Sequence, residues 1–175
     1  MGKKKIEPDL TPDEWNDVYL HMALYKMEHQ PNGMAAALVC CEVLGIKLPD
    51  WVRDRLAAEQ LETTISMKRR RQKKTVIEME QFKKDALRYF CVTCTDEERT
   101  KATQEERRLM KRDKFDQTFE MIKHLGPFAT DHPEGLEKSY YAFQHAFGGP
   151  RLASYIAERV ASSIIKMSIV ADTQA

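Results

Sequence analysis

Between Pro49 and Gly126 the chain contains no glycine and no proline, and this is the feature that most constrains its fold. These two residue types are the strongest breakers of regular structure, so a long stretch without them favours long helices. Apolar side chains recur in this stretch at helical spacing. They are Val52, Leu56, Leu61 and Ile65, followed by Val76, Met79, Phe82, Ala86 and Phe90. No segment alternates apolar and polar residues for long enough to predict a strand, and we therefore predict an all-α fold.

Capping signals predict where several helices begin and end. Thr11-Pro12-Asp13-Glu14 has the pattern of a capping box with proline in the first turn. Gly45 follows an apolar segment, as expected of a glycine just after a helix. Thr95-Asp96-Glu97-Glu98 is a second capping-box pattern and predicts the start of a charged helix that reaches about Leu125. Besides this charged helix, we expect helices over residues 11–28, 34–44, 134–147 and 151–170, with one or two more over residues 49–90.

These elements predict an irregular bundle of about six helices, with one or two long charged helices. Residues 1–10 are expected to form a disordered arm and residues 11–175 a single helical domain. A continuous helix from Pro49 to Phe90 would be about 60 Å long, which exceeds ordinary globular helices. We therefore expect either a hidden kink or a projecting charged helical arm within residues 62–114.

Composition limits the classes of protein to which the chain can belong. A hydrophobic fraction of 42% and a charged fraction of 31% are typical of a globular protein with a charged surface. No apolar run approaches the roughly 18 residues of a spanning helix. The basic residues at the amino terminus precede no apolar segment, so no secretory signal is predicted. The expected location is the cytoplasm, and no contact with a membrane is expected.

A basic run, Lys68-Arg69-Arg70-Arg71-Gln72-Lys73-Lys74, contains six cations in seven residues. It belongs to a region from Arg53 to Lys114 with 18 Lys and Arg against 12 Asp and Glu, while the remainder has 10 against 15. Phosphate neutralisation is a common use of such a cluster. A solvated helical connector and a contact with an anionic protein or a membrane surface are the alternatives. The predicted nucleic-acid-binding residues are Lys68, Arg69, Arg70, Arg71, Lys73 and Lys74, with a second patch of Arg107, Arg108, Lys111 and Arg112.

Other motifs carry less information. Cys91-Val92-Thr93-Cys94 has half the spacing of a zinc site, but four apolar-flanked cysteines, including Cys40 and Cys41, are better explained as reduced core residues. Tyr155 to Ile165 loosely matches a helix-turn-helix pattern, although a plain amphipathic helix explains the same residues.

No catalytic constellation is found, so we expect a protein that is not an enzyme and needs no cofactor or metal. The loop from Gly126 to Gly135, near His124 and His132, is where a pocket would be expected.

The segment from Ala35 to Val52 contains Gly45-Ile46-Lys47-Leu48-Pro49-Asp50-Trp51-Val52 after an apolar helix with two cysteines. It resembles a recurring segment of uncharacterised proteobacterial and prophage-borne helical proteins. The resemblance covers about 20 residues of this chain and implies a bacterial or phage origin. Some of those proteins end in a segment that resembles a DNA-binding helix.

The leading hypothesis is a small helical nucleic-acid-binding or regulatory protein of a mobile element, with phosphate contacts from the basic run. The alternative is a non-enzymatic adaptor or inhibitor, for example phage-encoded, that presents a charged helical surface to another protein. The expected partner is accordingly nucleic acid or an anionic protein. A homodimer is a further candidate, because a long helix with a solvated middle can serve as a dimer arm.

Overall fold

A computed structural model of the chain describes residues 10–66, 70–109, 113–124 and 132–173, and for 61–66, 70–73, 107–109 and 167–173 it describes the backbone alone. Within these residues the chain forms eight helices and no strand, which confirms the all-α class and corrects the expected number of about six helices. The helices are α1 (Pro12–Glu28), α2 (Gly33–Leu44), α3 (Asp50–Ser66), α4 (Arg70–Lys101), α5 (Gln104–Leu109), α6 (Lys114–Ile122), α7 (Pro133–Ala146) and α8 (Pro150–Thr173).

The ends of α1 and α2 follow their predicted caps. The backbone N–H of Thr11 donates to Glu14 Oε2 at 2.8 Å, and the N–H of Glu14 donates to Thr11 Oγ1 at 3.4 Å. This reciprocal pair is the predicted capping box. Gly45 ends α2 in the left-handed conformation, with φ of 63°, and its N–H donates to the carbonyl oxygen of Cys41.

The corner between α1 and α2 depends on a close approach of two backbones. Gly33 is the first residue of α2, and a Cβ atom at this position would lie 1.5 Å from the carbonyl oxygen of Met27. Met27 is itself fully buried. The two helices can therefore meet at this distance only because residue 33 has no side chain.

The prediction that Thr95 starts a helix is wrong. Thr95 lies inside α4 and is 1% exposed. Its hydroxyl donates to the carbonyl oxygen of Cys91 at 2.9 Å and accepts a hydrogen bond from the hydroxyl of Thr118 at 2.9 Å. The side chain thus connects α4 to α6, and the helix continues through it to Lys101.

The charged segment expected as one helix from Thr95 to about Leu125 is divided. Thr103 caps α5, because its hydroxyl accepts from the N–H of Glu106 at 3.3 Å while its own N–H donates to Glu106 Oε2 at 2.7 Å. Asp113 caps α6 by accepting from the N–H of Phe115 at 2.6 Å. These two caps are the physical reason for the larger number of helices.

α4 is the central helix of the bundle and packs against α2, α6, α7 and α8. Ala86, Tyr89 and Val92 on its second half are buried to 1% exposure or less. The ring of Tyr89 stacks on that of Tyr140 with the centroids 4.5 Å apart. It also lies 5.2 Å from the ring of Phe143. The aromatic part of the core is therefore built where α4 meets α7.

The projecting arm over residues 62–114 stays a prediction, and within that range the second half of α4 lies inside the bundle. The first half of α4 is more open, and Val76 and Ile77 are each 59% exposed. Whether residues 49–90 form one straight helix depends on residues 67–69, which lie outside the described residues, as do residues 1–9 of the expected disordered arm.

α8 runs without interruption from Pro150 to Thr173. It passes through Ala161, where a helix-turn-helix would require a turn, so the plain amphipathic helix is the correct interpretation. Ile156 and Val160 form part of its buried face. Among the described residues, no helix has both the length and the apolar composition needed to cross a membrane.

Candidate functional site

The predicted phosphate-binding residues are distributed over two helices and the residues next to them. Arg70, Arg71, Lys73 and Lys74 lie at the start of α4, and Arg107 and Arg108 lie in α5. Lys68, Arg69, Lys111 and Arg112 lie outside the described residues. The structure therefore places the main part of the basic run on the first residues of the longest helix.

The first turn of α4 contains no acidic residue. Like charges that lie close together on one helix repel one another. Arg70, Arg71, Lys73 and Lys74 therefore concentrate positive charge within five consecutive residues of α4. A bound anion would reduce the repulsion between these cations.

Lys74 is the predicted site residue whose side chain is described. The side chain is 75% exposed, and its Nζ lies 3.4 Å from Oε1 of Glu78. An exposed helical pair of this kind stabilises by only about 0.3–0.5 kcal/mol, and lysine before glutamate is the weaker order. This ion pair is therefore weak enough for a phosphate to compete for the ammonium group.

The second basic patch lies apart from the first. α5 begins three residues after the end of α4, whose 32 residues span about 48 Å. The length of α4 thus separates the start of α5 from the basic run. Glu105 and Glu106 occupy the first turn of α5, so acidic residues accompany the cations of this second patch.

Beside the first half of α4 lies a groove with a volume of about 380 Å³. Phe82 of α4 and Phe143 of α7 contribute to it, with their ring centroids 5.7 Å apart, and Phe147 at the end of α7 lies beside them. The opposite side is formed by Gln30 and Asn32 between α1 and α2. Its residues are far apart in the sequence, so no local pattern could have predicted the groove.

Asp85 is the centre of the polar contacts in this groove. Its Oδ1 accepts hydrogen bonds from Ser139 Oγ at 2.6 Å and from Gln81 Nε2 at 3.0 Å, and Arg88 Nη1 lies 3.5 Å away. The bond from Ser139 links α7 to α4. No histidine occurs among the described residues that line the groove, so Ser139 has no neighbouring imidazole to act as a base. The arrangement is suited to positioning and binding.

The four cysteines, all in the described part of the chain, are unpaired. Burial raises the pKa of the Cys40 and Cys91 thiols above its ordinary value. Burial also raises the pKa of Cys94, with a further contribution from the charge of Glu97. A raised pKa disfavours the thiolate that metal binding or nucleophilic attack requires. The described residues contain no group of three or more His, Cys, Asp or Glu side chains placed to hold a metal ion.

The pocket expected around the loop from Gly126 to Gly135 cannot be located, because residues 125–131 lie outside the described residues. His124 and His132, at the two ends of this gap, are both exposed.

An aromatic and arginine cluster that the sequence analysis did not predict joins the first helix to the last. The guanidinium carbon of Arg151 lies 5.6 Å from the ring centroid of Trp15 and 5.3 Å from that of Tyr19. Tyr155 packs against Tyr19 and donates a hydrogen bond to the carbonyl oxygen of Asn16 at 3.4 Å. Cation–π contacts at exposed sites contribute about 0.5–1 kcal/mol each, so the cluster helps hold α1 against α8.

Comparison with protein-family models, with curated proteins and with solved structures finds no match for this chain. The bacterial or phage origin implied by the segment from Gly45 to Val52 stays a prediction.

Proposed function

We propose that this chain binds nucleic acid through its phosphate groups, with the start of α4 as the contact element. The observation that supports this most directly is the basic run itself: residues 70–74 of α4 contain four cations and no acidic residue. Lys68 and Arg69 precede these residues in the sequence. A cluster of cations favours phosphate because it neutralises the charge of the phosphate groups.

The second half of α4 would hold this contact element in a fixed position. Its buried residues are packed in the centre of the bundle, so the basic end is attached to a rigid body. The contacts are expected to be largely independent of sequence, because no set of base-reading side chains accompanies the cations. A duplex that reached from the start of α4 to the patch on α5 would span roughly 14 base pairs, at about 3.4 Å each.

The test is fluorescence anisotropy of labelled duplex DNA, single-stranded DNA and RNA. The variant carries Arg70, Arg71, Lys73 and Lys74 changed to Ala. The control removes four cations elsewhere by changing Lys47, Lys101, Lys138 and Lys166, all exposed, to Ala. At about 50–100 mM salt we expect the variant to lose at least about tenfold in affinity and the control to stay within about twofold. Equal losses in both would show that only net charge matters, and no binding by the unaltered chain would refute the proposal.

The same variant separates binding from folding. Closely spaced cations on a helix repel one another, so their removal should leave the melting temperature of the free protein unchanged or raise it. If the variant binds poorly but its melting temperature is no lower than that of the unaltered chain, it has lost a contact with nucleic acid and has kept its fold.

A protein-binding adaptor or inhibitor is the second candidate. Val76 and Ile77 favour it, because both are large apolar residues at 59% exposure and are separated from the basic run by Thr75 alone. A protein complex formed through them would tolerate salt and would weaken on Val76→Ser and Ile77→Ser substitution. Nucleic-acid binding would instead be sensitive to salt and would not weaken on these two substitutions.

A further inference from the structure

The groove beside α4 is a cavity that phosphate binding by the basic run does not use. Its volume of about 380 Å³ is at the low end of the range of about 300–1,000 Å³ typical of small-molecule sites. Phe143 is 6% exposed and Phe147 is 3% exposed, so these rings are fixed parts of the wall. Together with Phe82 they form a surface that suits a small apolar or planar body.

The charged residues that line the groove are of one sign. Glu78 and Asp85 contribute to the lining, and no lysine, arginine or histidine occurs among the described lining residues. Glu78 pairs with Lys74 at 3.4 Å and Asp85 pairs with Arg88 at 3.5 Å, and neither cation is part of the lining. The carboxylates therefore line the groove, whereas their cationic partners do not.

The polar contacts within the groove also favour a ligand that donates hydrogen bonds. Gln81 Nε2 and Ser139 Oγ both donate to Asp85 Oδ1, and Gln30 Nε2 donates to the carbonyl oxygen of Ala146. Glu78 meets Lys74 through Oε1, and the contacts of Asp85 given above are made through Oδ1. The protein thus uses donor groups internally and leaves carboxylate oxygens as acceptors.

We propose that this groove binds a small organic cation in which an ammonium or amidinium group is attached to an aromatic or branched apolar body. The body packs against Phe82, Phe143 and Phe147, and the cationic N–H groups donate to Asp85 and Glu78. The small volume favours a molecule of this size over a helix or an extended peptide. This inference is independent of the proposed function, because the two use different residues.

The experiment is ligand-observed NMR and calorimetric titration of the full chain with phenethylamine hydrochloride. Neutral 2-phenylethanol and anionic phenylacetate have the same ring and test the role of charge. We expect the ammonium compound to bind about tenfold more tightly than the alcohol, and phenylacetate more weakly than either, because only the ammonium forms a charge-assisted hydrogen bond. Equal affinity for the ammonium and the alcohol, or no saturable binding up to about 10 mM, would overturn the proposal.

Three variants locate the site. Asp85→Asn should weaken binding of the ammonium compound about tenfold and leave the alcohol within about twofold. Glu80→Gln is the matched control on the exposed face of α4, where Glu80 pairs with Lys83. It should change the affinity for neither the ammonium compound nor the alcohol. Asp85→Asn also alters the contact with Ser139, so a second variant, Ala142→Phe, is needed. Ala142 is exposed and lines the groove. A phenyl ring at this position should fill the groove and abolish binding of both compounds. Unchanged binding by Ala142→Phe would place the ligand elsewhere and contradict the assignment.

Discussion

At the scale of single residues, Thr95 and Thr118 show how the core accommodates polar groups. They are the buried polar side chains among the described residues, at 1% and 0% exposure. The hydroxyl of Thr118 donates to that of Thr95, which donates in turn to the carbonyl oxygen of Cys91. Each hydroxyl therefore has a partner, and the cost of burying it is offset.

A double-mutant cycle tests this pair. Thr95→Val and Thr118→Val should each lower the free energy of unfolding by about 1 kcal/mol, because each removes a buried hydrogen bond. The double variant should lose less than the sum, since it leaves neither hydroxyl facing an apolar methyl group. Urea unfolding of the four proteins measures this, and strictly additive losses would show that the two residues do not interact.

Two glycines are expected to respond differently to alanine. Gly33→Ala places a Cβ atom against the carbonyl oxygen of Met27 and forces α1 and α2 apart, with an expected loss of about 1–3 kcal/mol. Gly45→Ala meets no neighbouring atom within 4 Å and incurs only the strain of its left-handed backbone, about 1 kcal/mol. Circular dichroism during urea unfolding compares them, and a Gly45 variant less stable than the Gly33 variant would contradict the packing described for the corner.

At the scale of helices, the same Thr-x-x-Glu pattern occurs at Thr95 and at Thr103 with opposite outcomes. Thr95 follows the fully buried Val92 by three residues and faces α6, so tertiary packing continues the helix through it. Thr103 has no such buried neighbour one turn before it and becomes a cap. Local sequence predicts that a cap is available, whereas packing between distant segments decides whether it is used.

The capping carboxylates give a pH-dependent prediction. Hydrogen bonds from the backbone N–H and the hydroxyl of Thr11 lower the pKa of Glu14 below 4.5, and those of Thr103 lower the pKa of Glu106 in the same way. Since the folded pKa is the lower one, this stabilisation is present above pH 4.5 and is lost as the pH falls through the folded pKa.

Carboxyl NMR titration should find both groups below 4.5, with Glu14 shifting upward in Thr11→Ala and Glu106 in Thr103→Ala. Each substitution is the control for the other glutamate. A carboxyl pKa that does not respond to the loss of its own threonine would show that the capping box does not form in solution.

At the scale of the whole molecule, the sequence predicts the all-α class, the start of α1, the end of α2 and the positions of α7 and α8. It also identifies the basic run, because six cations in seven residues form a local signal. The groove could not be predicted in this way. Asp85 and Ser139 are 54 positions apart, and only the packing of α7 on α4 brings them together.

The central claim is that the start of α4 binds phosphate, and the salt dependence of duplex binding tests it most directly. The logarithm of the binding constant falls with the logarithm of salt concentration by about 0.9 per phosphate contact. Changing Arg70, Arg71, Lys73 and Lys74 to Ala should therefore reduce this slope by about 3–4, while the control lacking Lys47, Lys101, Lys138 and Lys166 should change it by less than about 1. Equal slopes for the unaltered chain and the α4 variant would contradict the claim, because the phosphate contacts would then lie elsewhere on the protein.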